Sequence, residues 1–418
     1  MYNPRPMSGP SASPPTSRDA FEVLRDRGFV QQTSDETELR ARLGRERVTF
    51  YAGFDPTASS LHLGHFLPLM AMTHLARAGH RPIAVLGGGT AMVGDPSGKT
   101  ELRQMLTGDA IAANRVAIEK QVRHVLGDAP DAVVVDNGEW LLPLNYVEFL
   151  REIGRHFSVN RMLAAEAYRL RLEKGLSFIE FNYMLLQSYD FLILRRRYGC
   201  TLQIGGDDQW GNIVAGIDLI RRVDQEQAYG LTHPLILTAA GTKMGKTAAG
   251  AVWLDPERTS PYDFYQYFVN VDDRDVVKFL KLFTVHPLAE IVRFESVQGA
   301  ELRDAKKLLA HGVATLVHGA AAADEAQRAA AAAFGGGGDD AAIPTFAVTG
   351  GEKIIDVLAA SGLAASKSVA RRLVEQGGVR LGDRKISAID DMLTPAEITT
   401  GVLLHAGKKS VRRLVLGG

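Results

Sequence analysis

An alternation of short β-branched segments with turns and helical segments is the feature that most constrains the fold. The segment Arg47 to Phe54 (RVTFYAGF) predicts a strand that feeds a turn-rich loop. An apolar-periodic run from His65 to Ala78 predicts a helix, which tolerates Pro68 in its first turn because the missing N–H would have no partner there. RPIAVLGGGT predicts a second strand that enters a glycine turn. This order of elements predicts an α/β fold with a parallel, doubly wound sheet.

Later segments predict further parts. AVVVDN and CTLQIGG continue the strand and helix alternation, and from about Ser260 the pattern becomes helical. The low-complexity run from Ala329 to Ala342 predicts a flexible linker. We therefore predict five parts: a disordered extension over 1–18, an α/β domain over 19–260, a helical region over 261–333, a flexible linker over 334–350 and a small α+β module over 351–418.

Composition excludes several classes of protein. The 48 basic and 48 acidic residues balance, so no chain-wide charge indicates nucleic acid or membrane, and any basic surface is local. The single cysteine, Cys200, cannot form an intramolecular disulfide or a zinc cluster, which favours a reducing compartment. The chain starts without a signal-peptide core and contains no run of about 18 apolar residues. We expect a cytoplasmic protein with no membrane partner.

The loop after the first predicted strand holds the first candidate site. Ligands of open α/β sheets bind beyond the carboxyl ends of strands, where helix N-termini present N–H groups to anions. His62-Leu63-Gly64-His65 lies there, and its two imidazoles flank a glycine that lets a ligand approach the backbone. Alone, this pattern fits two polar residues near a helix start equally well. A second motif, KMGKT from Lys243 to Thr247, would alone indicate a solvated loop.

Together, HLGH and KMGKT resemble the HIGH and KMSKS signatures of the class I aminoacyl-tRNA synthetases. Their order matches, and 181 positions (243 − 62) separate Lys243 from His62. In this family a Rossmann-type catalytic domain lets the amino-acid carboxylate attack the α-phosphorus of ATP. Catalysis then needs positioning and charge stabilisation rather than a general base. The resemblance implies ATP with Mg²⁺ as substrate, no prosthetic group, and no metal ligands in the chain.

The resemblance also implies residue roles. Catalytic roles fall to His65 on the ribose side and, at the phosphates, to Thr57, His62, Lys99, Arg103, Lys243, Lys246 and Thr247. Nucleotide contacts fall to Gly53, Asp55, His62, Gly64, His65, Gly206, Asp208 and Lys246. Without the resemblance, the segment GDPSGKTELR, which holds Lys99 and Arg103, would be a capped helix start.

Three segments narrow the resemblance to the bacterial tyrosyl-tRNA synthetases: YAGFDPT from Tyr51, FNYMLLQSYDF from Phe181 and QIGGDDQWGN from Gln203. The similarity covers essentially residues 48–285. Spacings of four and three place Tyr183, Gln187 and Asp190 on one helix face, which alone would be an ordinary polar face. The resemblance implies tyrosine contacts at Tyr51, Asp95, Tyr183, Gln187, Asp190 and Gln209.

Within that set, Tyr51 and Asp190 would bind the substrate phenol. Phenylalanine would leave them unpaired, at about 1–3 kcal/mol for a buried polar group. One departure is Asp207, where the family commonly has a small residue in GGSDQ. Its carboxylate could tune magnesium or ribose binding, or it could face solvent, which is the interpretation we favour.

The remaining segments suggest RNA partners. In this family a helical domain reads the anticodon, and residues 261–333 occupy its place. The tail Gly351–Gly418 has eleven Lys and Arg against seven Asp and Glu, a local charge of +4. It resembles an S-four-like RNA-binding fold, in which Lys367, Arg371 and Arg372 would face phosphates; the alternative is a solvated amphipathic helix.

We therefore predict a tyrosine–tRNA ligase that acts on L-tyrosine, ATP and tRNA(Tyr), and the resemblance implies a homodimer. Two alternatives stay open. One is the related tryptophanyl enzyme, and the other is a non-catalytic RNA-binding or splicing protein on the same fold.

Overall fold

The structure is a computed structural model, and it describes residues 19–97, 106–127, 129–241, 244–247, 250–335, 343–399, 401–407 and 410–417. The predicted extension over 1–18 and the predicted site residues Lys99, Arg103 and Lys243 lie outside these ranges. For Lys246 and Thr247 only the backbone is described. By packing, the chain divides into two units: Met1–Thr57 with Ala71–Ala112 and Leu126–Pro234, and Ala58–Met70 with Ala113–Val125 and Leu235–Gly418.

A mixed sheet forms the centre of the first unit. Its strands are β1 (Gln32–Thr33), β2 (Thr49–Phe54), β3 (Arg81–Leu86), β4 (Val133–Asp136), β5 (Leu202–Gly206) and β6 (Tyr229–His233). They lie in the order β1-β6-β5-β2-β3-β4, and every neighbouring pair is parallel except β1 with β6. The predicted parallel, doubly wound sheet is confirmed. The winding direction reverses between β2 and β5, where such sheets bind their ligands.

Helices connect these strands. Along the chain they are α1 (Ala20–Arg27), α2 (Glu36–Arg45), α3 (Leu63–Arg77), α4 (Gly108–Val125), α5 (Gly138–Leu141), α6 (Tyr146–Glu152), α7 (Val159–Ala164), α8 (Glu166–Leu172), α9 (Phe178–Phe181), α10 (Tyr183–Tyr198) and α11 (Trp210–Val223). Helices α3 and α4 have residues in both units. The carboxylate of Asp19 caps α1 by accepting the N–H of Phe21. Gly199, with φ of 66°, ends α10 in the left-handed conformation that favours glycine.

Helix α3 differs from the prediction at its start. It begins at Leu63 rather than His65, so Pro68 lies inside the helix and beyond the first turn. Proline has no N–H, so it removes the helical hydrogen bond that the Gly64 carbonyl would otherwise accept. The prediction that Pro68 sits harmlessly in the first turn is wrong, and the turn that holds HLGH lacks one helical bond.

The second unit contains a hairpin and a group of helices. The hairpin pairs β7 (Lys246–Thr247) with β8 (Gly250–Ala251), and the helices are α12 (Pro261–Val269), α13 (Val276–Phe283), α14 (Leu288–Val292), α15 (Ala300–His318) and α16 (Ala320–Gly335). Helix α12 packs against α15 and α16. Ser260 caps α12 and Pro261 occupies its first position. The predicted helical region is confirmed. None of the helices within the described ranges is long and apolar enough to cross a membrane.

The predicted linker differs from the structure at both ends. Its alanine run is helical through Gly335, because alanine has the highest helix propensity. At the other end, residues 345–348 form a strand of the C-terminal module. The flexible linker predicted over 334–350 is therefore wrong at those positions, and the module begins before residue 351.

The C-terminal module is α+β, as predicted. Its elements are β9 (Thr345–Val348), α17 (Ile354–Ala360), α18 (Lys367–Glu375), β10 (Val379–Leu381), β11 (Arg384–Ile386), α19 (Pro395–Ile398), β12 (Val402–Ala406) and β13 (Ser410–Leu416). The sheet has the order β11-β10-β12-β13-β9. Strand β9 pairs parallel with β13, while the other neighbouring pairs are antiparallel.

Candidate active site

In the first unit, Tyr51 on β2 presents a buried hydroxyl. The residue is 2% exposed, and its ring packs against Phe191 of α10 with 5.2 Å between centroids. Within the described residues the Tyr51 hydroxyl has no hydrogen-bond partner. Burial, and then the nearby charge of Asp190, raises the pKa of Tyr51, so the hydroxyl stays protonated. A buried hydroxyl without a partner costs free energy, which a bound polar ligand would recover.

Asp190 lies on α10 and is 4% exposed. Its Oδ1 accepts a hydrogen bond from the Trp140 indole N–H at 2.7 Å, and its Oδ2 accepts one from Asn137 Nδ2 at 2.9 Å. Burial raises the pKa of Asp190 to about 7, although the bonds from Asn137 and Trp140 oppose the rise. The pKa of this carboxyl is therefore raised toward the neutral range by its burial. The sequence did not predict Asn137 or Trp140 as site residues. Both follow β4, and their position beyond the carboxyl end of a strand is the one feature of the sequence that could have indicated them.

Tyr183 and Asp55 are joined through a second polar chain. The Tyr183 hydroxyl donates to Asp55 Oδ2 at 3.1 Å, and Thr90 Oγ1 donates to Asp55 Oδ1 at 2.8 Å. Asn137 Nδ2 donates to Thr90 Oγ1 at 3.0 Å, which connects this chain to Asp190. Burial and the Asp55 charge raise the pKa of Tyr183. A Cβ at Gly87 would lie 2.0 Å from Asp55 Oδ1, so the first glycine of the GGG turn is required.

A third polar group contains the other predicted tyrosine contacts. Gln209 Nε2 donates to Asp95 Oδ2 at 2.7 Å. Asn212 Nδ2 donates to Gln187 Oε1 at 3.0 Å and to Gln209 Oε1 at 3.2 Å. Asn212 is 3% exposed and orients both glutamine amides, a role that the sequence analysis missed. The structure thus brings Asp95, Gln187 and Gln209 together.

Asp207 is half-buried and hydrogen-bonded, rather than simply facing solvent as predicted. Its Oδ1 accepts hydrogen bonds from Gln32 Nε2 at 2.7 Å and from Thr232 Oγ1 at 2.9 Å. Gln32 and Thr232 are register partners of β1 and β6. The antiparallel edge strand β1 therefore places Gln32 next to Asp207. The sequence did not predict β1, because a strand of two residues is too short to show a pattern.

The remaining predicted residues of this unit lie at the ends of β2 and β5. Gly53 is exposed on β2, and Thr57 is half-buried just beyond it. Gly206 ends β5, and Asp208 follows it in a single 3₁₀ turn, Asp207–Gln209. These residues border the point where the winding of the sheet reverses.

In the second unit, the HLGH turn orients two histidines. The rings of His62 and His65 stack with 4.0 Å between centroids. The Gly64 N–H donates to His62 Nδ1 at 3.0 Å, and the His62 N–H donates to His65 Nδ1 at 3.3 Å. A neutral imidazole whose Nδ1 accepts carries its proton on Nε2, a donor suited to phosphate oxygens. A Cβ at Gly64 would lie 2.8 Å from His62 Cε1, so glycine is needed there.

The KMGKT loop lies against the HLGH turn in this unit. The Leu63 N–H donates to the Val252 carbonyl at 3.1 Å, and His62 forms an isolated antiparallel bridge with Trp253. Gly245 has φ of 78°, and a Cβ there would lie 2.9 Å from Leu63 Cβ. Met244 is buried. The two motifs that the sequence analysis paired are therefore adjacent in the structure.

On the C-terminal module, helix α18 separates polar and apolar faces. Lys367, Arg371 and Arg372 are exposed, whereas Ala370 and Val374 are buried. Lys367 Nζ also lies 2.9 Å from Asp356 Oδ1. Such a face suits either RNA phosphates or plain solvation. Among the residues that the structure describes, no three His, Cys, Asp or Glu side chains are grouped to hold a metal ion.

Comparisons with known families match nearly the whole chain. A family model described as tRNA synthetases class I (W and Y) matches residues 43–335. A second model, the Tyrosine--tRNA ligase SYY-like C-terminal domain, matches residues 339–412. The second match begins before β9, in agreement with the sheet rather than with the predicted start at 351.

Individual proteins show the same likeness. A tyrosine–tRNA ligase of Clostridium botulinum (strain Loch Maree / Type A3) is 50% identical over 404 residues, which cover 95% of this chain and 99% of the relative. The tyrosine–tRNA ligase of Clostridium tetani is 49% identical over 403 residues, with the same coverage of 95% and 99%.

Solved structures agree with this likeness. A C-terminally truncated mitochondrial tyrosyl-tRNA synthetase of Aspergillus nidulans superposes with a TM-score of 0.68 at 29% identity, over 75% of this chain and 93% of that one. The C-terminally truncated mitochondrial tyrosyl-tRNA synthetase of Coccidioides posadasii superposes with a TM-score of 0.66 at 32% identity, over 75% of this chain and 92% of that one.

Proposed function

This chain belongs to the tyrosine–tRNA ligases of the class I tRNA synthetase family, and from that membership we propose how its residues perform the reaction. The enzyme joins L-tyrosine and ATP into tyrosyl-adenylate and pyrophosphate. It then transfers tyrosine to the 3′ end of tRNA(Tyr). The tryptophanyl and non-catalytic alternatives are set aside, because relatives at 50% identity over nearly the full length are tyrosine–tRNA ligases.

The observation that carries the substrate assignment is the Tyr51 and Asp190 pair. The substrate phenol donates its O–H to the Asp190 carboxylate and accepts from the Tyr51 hydroxyl, which has no partner among the described residues. Phenylalanine would leave the Tyr51 hydroxyl buried and unpaired, at about 1–3 kcal/mol, and would deprive Asp190 of the phenol donor. Trp140 and Asn137 act as positioning residues, because their bonds to Asp190 fix the carboxylate plane.

The other end of tyrosine is held by amide and carboxylate groups. Asp95, Tyr183 and Gln187 bind the α-amino group, and Gln209 orients the carboxylate. Asn212 supports this arrangement, because its amide bonds to both Gln187 and Gln209. The carboxylate is already ionised, so it attacks without a general base.

Phosphate chemistry falls to the two signature motifs, together with Thr57 and the segment that holds Lys99 and Arg103. The tyrosine carboxylate oxygen bonds to the α-phosphorus, the bond to the bridging oxygen breaks, and pyrophosphate leaves with its charge. The residues that stabilise this charge are Thr57, His62, Lys99, Arg103, Lys243, Lys246 and Thr247. His62 is suited to the role because its Nδ1 accepts the Gly64 N–H, which leaves the proton on Nε2.

The nucleoside part of ATP has its own contacts. His65 and Asp208 contact the ribose side, and Asp55 lies with them among the nucleotide contacts. Gly53, Gly64 and Gly206 allow the nucleotide to approach the backbone. Mg²⁺ bound to ATP as part of the substrate would neutralise part of the phosphate charge.

RNA recognition falls to the C-terminal half of the chain. The helical region 261–333 reads the anticodon, and the C-terminal module adds a basic face with Lys367, Arg371 and Arg372, which are exposed on α18. The protein acts in the cytoplasm.

We also propose that two copies of this chain form a homodimer. Exposed apolar side chains cluster between residues 142 and 179: Leu142, Tyr146, Val147, Leu150, Val159, Leu172, Phe178 and Ile179. Val147 is 72% exposed and Phe178 is 71% exposed. Exposed apolar side chains that lie this densely along one stretch of the chain are typical of a protein interface.

Amino-acid-dependent pyrophosphate exchange tests the proposed function. Tyrosine should support exchange, whereas phenylalanine and tryptophan should give only background. Charging of total tRNA with tyrosine then tests the second step. Exchange with tryptophan but not with tyrosine would contradict the assignment.

A further inference from the structure

Three hydrogen bonds anchor the segment around the KMGKT loop to the helical region. Lys278 Nζ donates to the Leu237 carbonyl at 3.0 Å, and the Ala239 N–H donates to Asp275 Oδ2 at 2.7 Å. The Gly245 N–H donates to the Tyr267 hydroxyl at 3.0 Å. The first two bonds hold the chain before the motif. The third reaches the motif itself, because Gly245 is its central residue.

Gly245 is held on several sides. Its N–H donates to Tyr267, and its carbonyl accepts the Val252 N–H at 2.8 Å. Its Cα faces Leu63 of the HLGH turn so closely that a Cβ would lie 2.9 Å from Leu63 Cβ. The described conformation is thus the one in which the two motifs are packed together.

The Tyr267 hydroxyl is separable from the packing of its ring. The ring is half-buried on α12 and meets Phe268 edge-on, with 5.2 Å between centroids. A phenylalanine would keep that contact and lose only the oxygen. Burial raises the pKa of Tyr267, so the hydroxyl remains neutral through the working pH range.

We propose that Tyr267 is a positioning residue for adenylate formation, whose hydroxyl holds the KMGKT loop against the HLGH turn. The inference rests on the proposed function, since it presumes that Lys246 acts on the leaving pyrophosphate. Lys246 directly follows Gly245, so fixing the Gly245 peptide fixes the point from which that side chain extends. When the backbone at this point is already fixed, the Lys246 side chain and its loop lose less conformational entropy on reaching the transition state.

The experiment compares Tyr267→Phe with a matched control on the same helix, Tyr265→Phe. Tyr265 bonds to Gln327 rather than to the loop. Single-turnover adenylate formation and equilibrium tyrosine binding are measured for both full-length variants. Tyr267→Phe should slow adenylate formation about five- to tenfold, the loss expected for one hydrogen bond, with tyrosine affinity unchanged. Amide hydrogen exchange of the segment 236–254 should accelerate in this variant alone.

Three results would overturn the proposal. The first is an adenylate rate of Tyr267→Phe within about twofold of wild type. The second is a faster rate in this variant, which would mean that the bond holds a resting conformation. The third is equal slowing in Tyr265→Phe. The wild-type enzyme tests the premise separately. If it forms no adenylate with tyrosine, the proposed function fails, whatever the variants do.

Discussion

The indole N–H of Trp140 lies 2.7 Å from Oδ1 of Asp190, inside a site where that carboxylate is 4% exposed. Burial raises the pKa of Asp190 to about 7, while the indole bond opposes the rise by favouring the ionised form. Trp140, together with Asn137, therefore helps to set the pH at which this carboxylate ionises and, in the proposed site, can accept the substrate phenol.

We predict that Trp140→Phe moves the pH dependence of tyrosine binding upward. As pH falls through the pKa of Asp190, the carboxylate is protonated and stops accepting the phenol O–H, so wild-type affinity should decline below about pH 7. Without the indole donor the pKa of Asp190 rises further, and the decline begins at a higher pH. Calorimetric titration with tyrosine between about pH 6 and about pH 8.5 measures both midpoints. An unchanged midpoint would show that the indole bond does not control this ionisation.

The second prediction concerns selection against phenylalanine. Tyr51→Phe removes one of the two proposed phenol partners, so the ratio of kcat/KM for tyrosine over phenylalanine should fall about tenfold or more. Tyr189→Phe is the control, because Tyr189 lies on the same helix as Asp190 but packs against Phe149. Equal ratios in wild type and Tyr51→Phe would remove Tyr51 from the selection of tyrosine.

The third prediction follows from Asp207. Its bond to Gln32 ties the edge strand β1 to the 3₁₀ turn that holds Asp208 and Gln209. Gln32→Ala and Asp207→Ala should each raise KM for ATP several-fold by loosening that turn, and the double variant should be no worse than Asp207→Ala alone. Steady-state pyrophosphate exchange measures all four proteins. Multiplying effects would mean that the two side chains act independently.

The local pattern was enough to predict the longer strands of the first unit and the helix that holds Tyr183, Gln187 and Asp190, whereas the pairing of the two motifs, 181 positions apart, came from the family resemblance. Those strands and that helix depend on periodicity or on residues close in sequence. The partners of Asp190 and Asp207 depend instead on chain segments far apart: Trp140 is 50 positions from Asp190, and Gln32 is 175 from Asp207. Only the fold brings such donors to their acceptors, so a local pattern cannot predict them.

The errors at the linker have a different cause. The low-complexity composition of the run does not distinguish alanine from glycine, but an alanine run favours a helix when a preceding helix can continue into it. Strand β9 has four residues, and its partner β13 lies at the far end of the module. A short strand with a distant partner carries too little alternation to be recognised alone.

The fourth prediction tests the proposed dimer. Val147→Asp and Phe178→Asp place charges on the most exposed apolar side chains of the cluster between residues 142 and 179. Each should shift the protein from dimer to monomer in sedimentation velocity, because burying an unpaired carboxylate is costly. Val292→Asp, on an apolar side chain outside this cluster that is 49% exposed, is the control. A monomeric wild-type protein would refute the dimer.

The last prediction concerns where the C-terminal module can be removed. Arg412 donates to both carboxylate oxygens of Asp263 on α12, at 2.8 and 2.9 Å. Val411 packs with Ile343 and Tyr262 in the same small core. Deleting 351–418 removes these contacts but leaves β9 without β13. An unpaired strand edge promotes association, so this truncated protein should aggregate on concentration.

Deleting 343–418 removes β9 and Ile343 as well, and should give a soluble protein. It should keep tyrosine-dependent pyrophosphate exchange near the wild-type level, because HLGH, KMGKT and the group around Asp190 all precede residue 343. Charging of tRNA should fall by orders of magnitude, since the exposed cations of α18 are lost. Light scattering and the two activity assays on both truncations separate these effects. Equal solubility of the two truncated proteins would show that β9 is not part of the module. Equal loss of pyrophosphate exchange and tRNA charging would show that the module supports the catalytic domain itself.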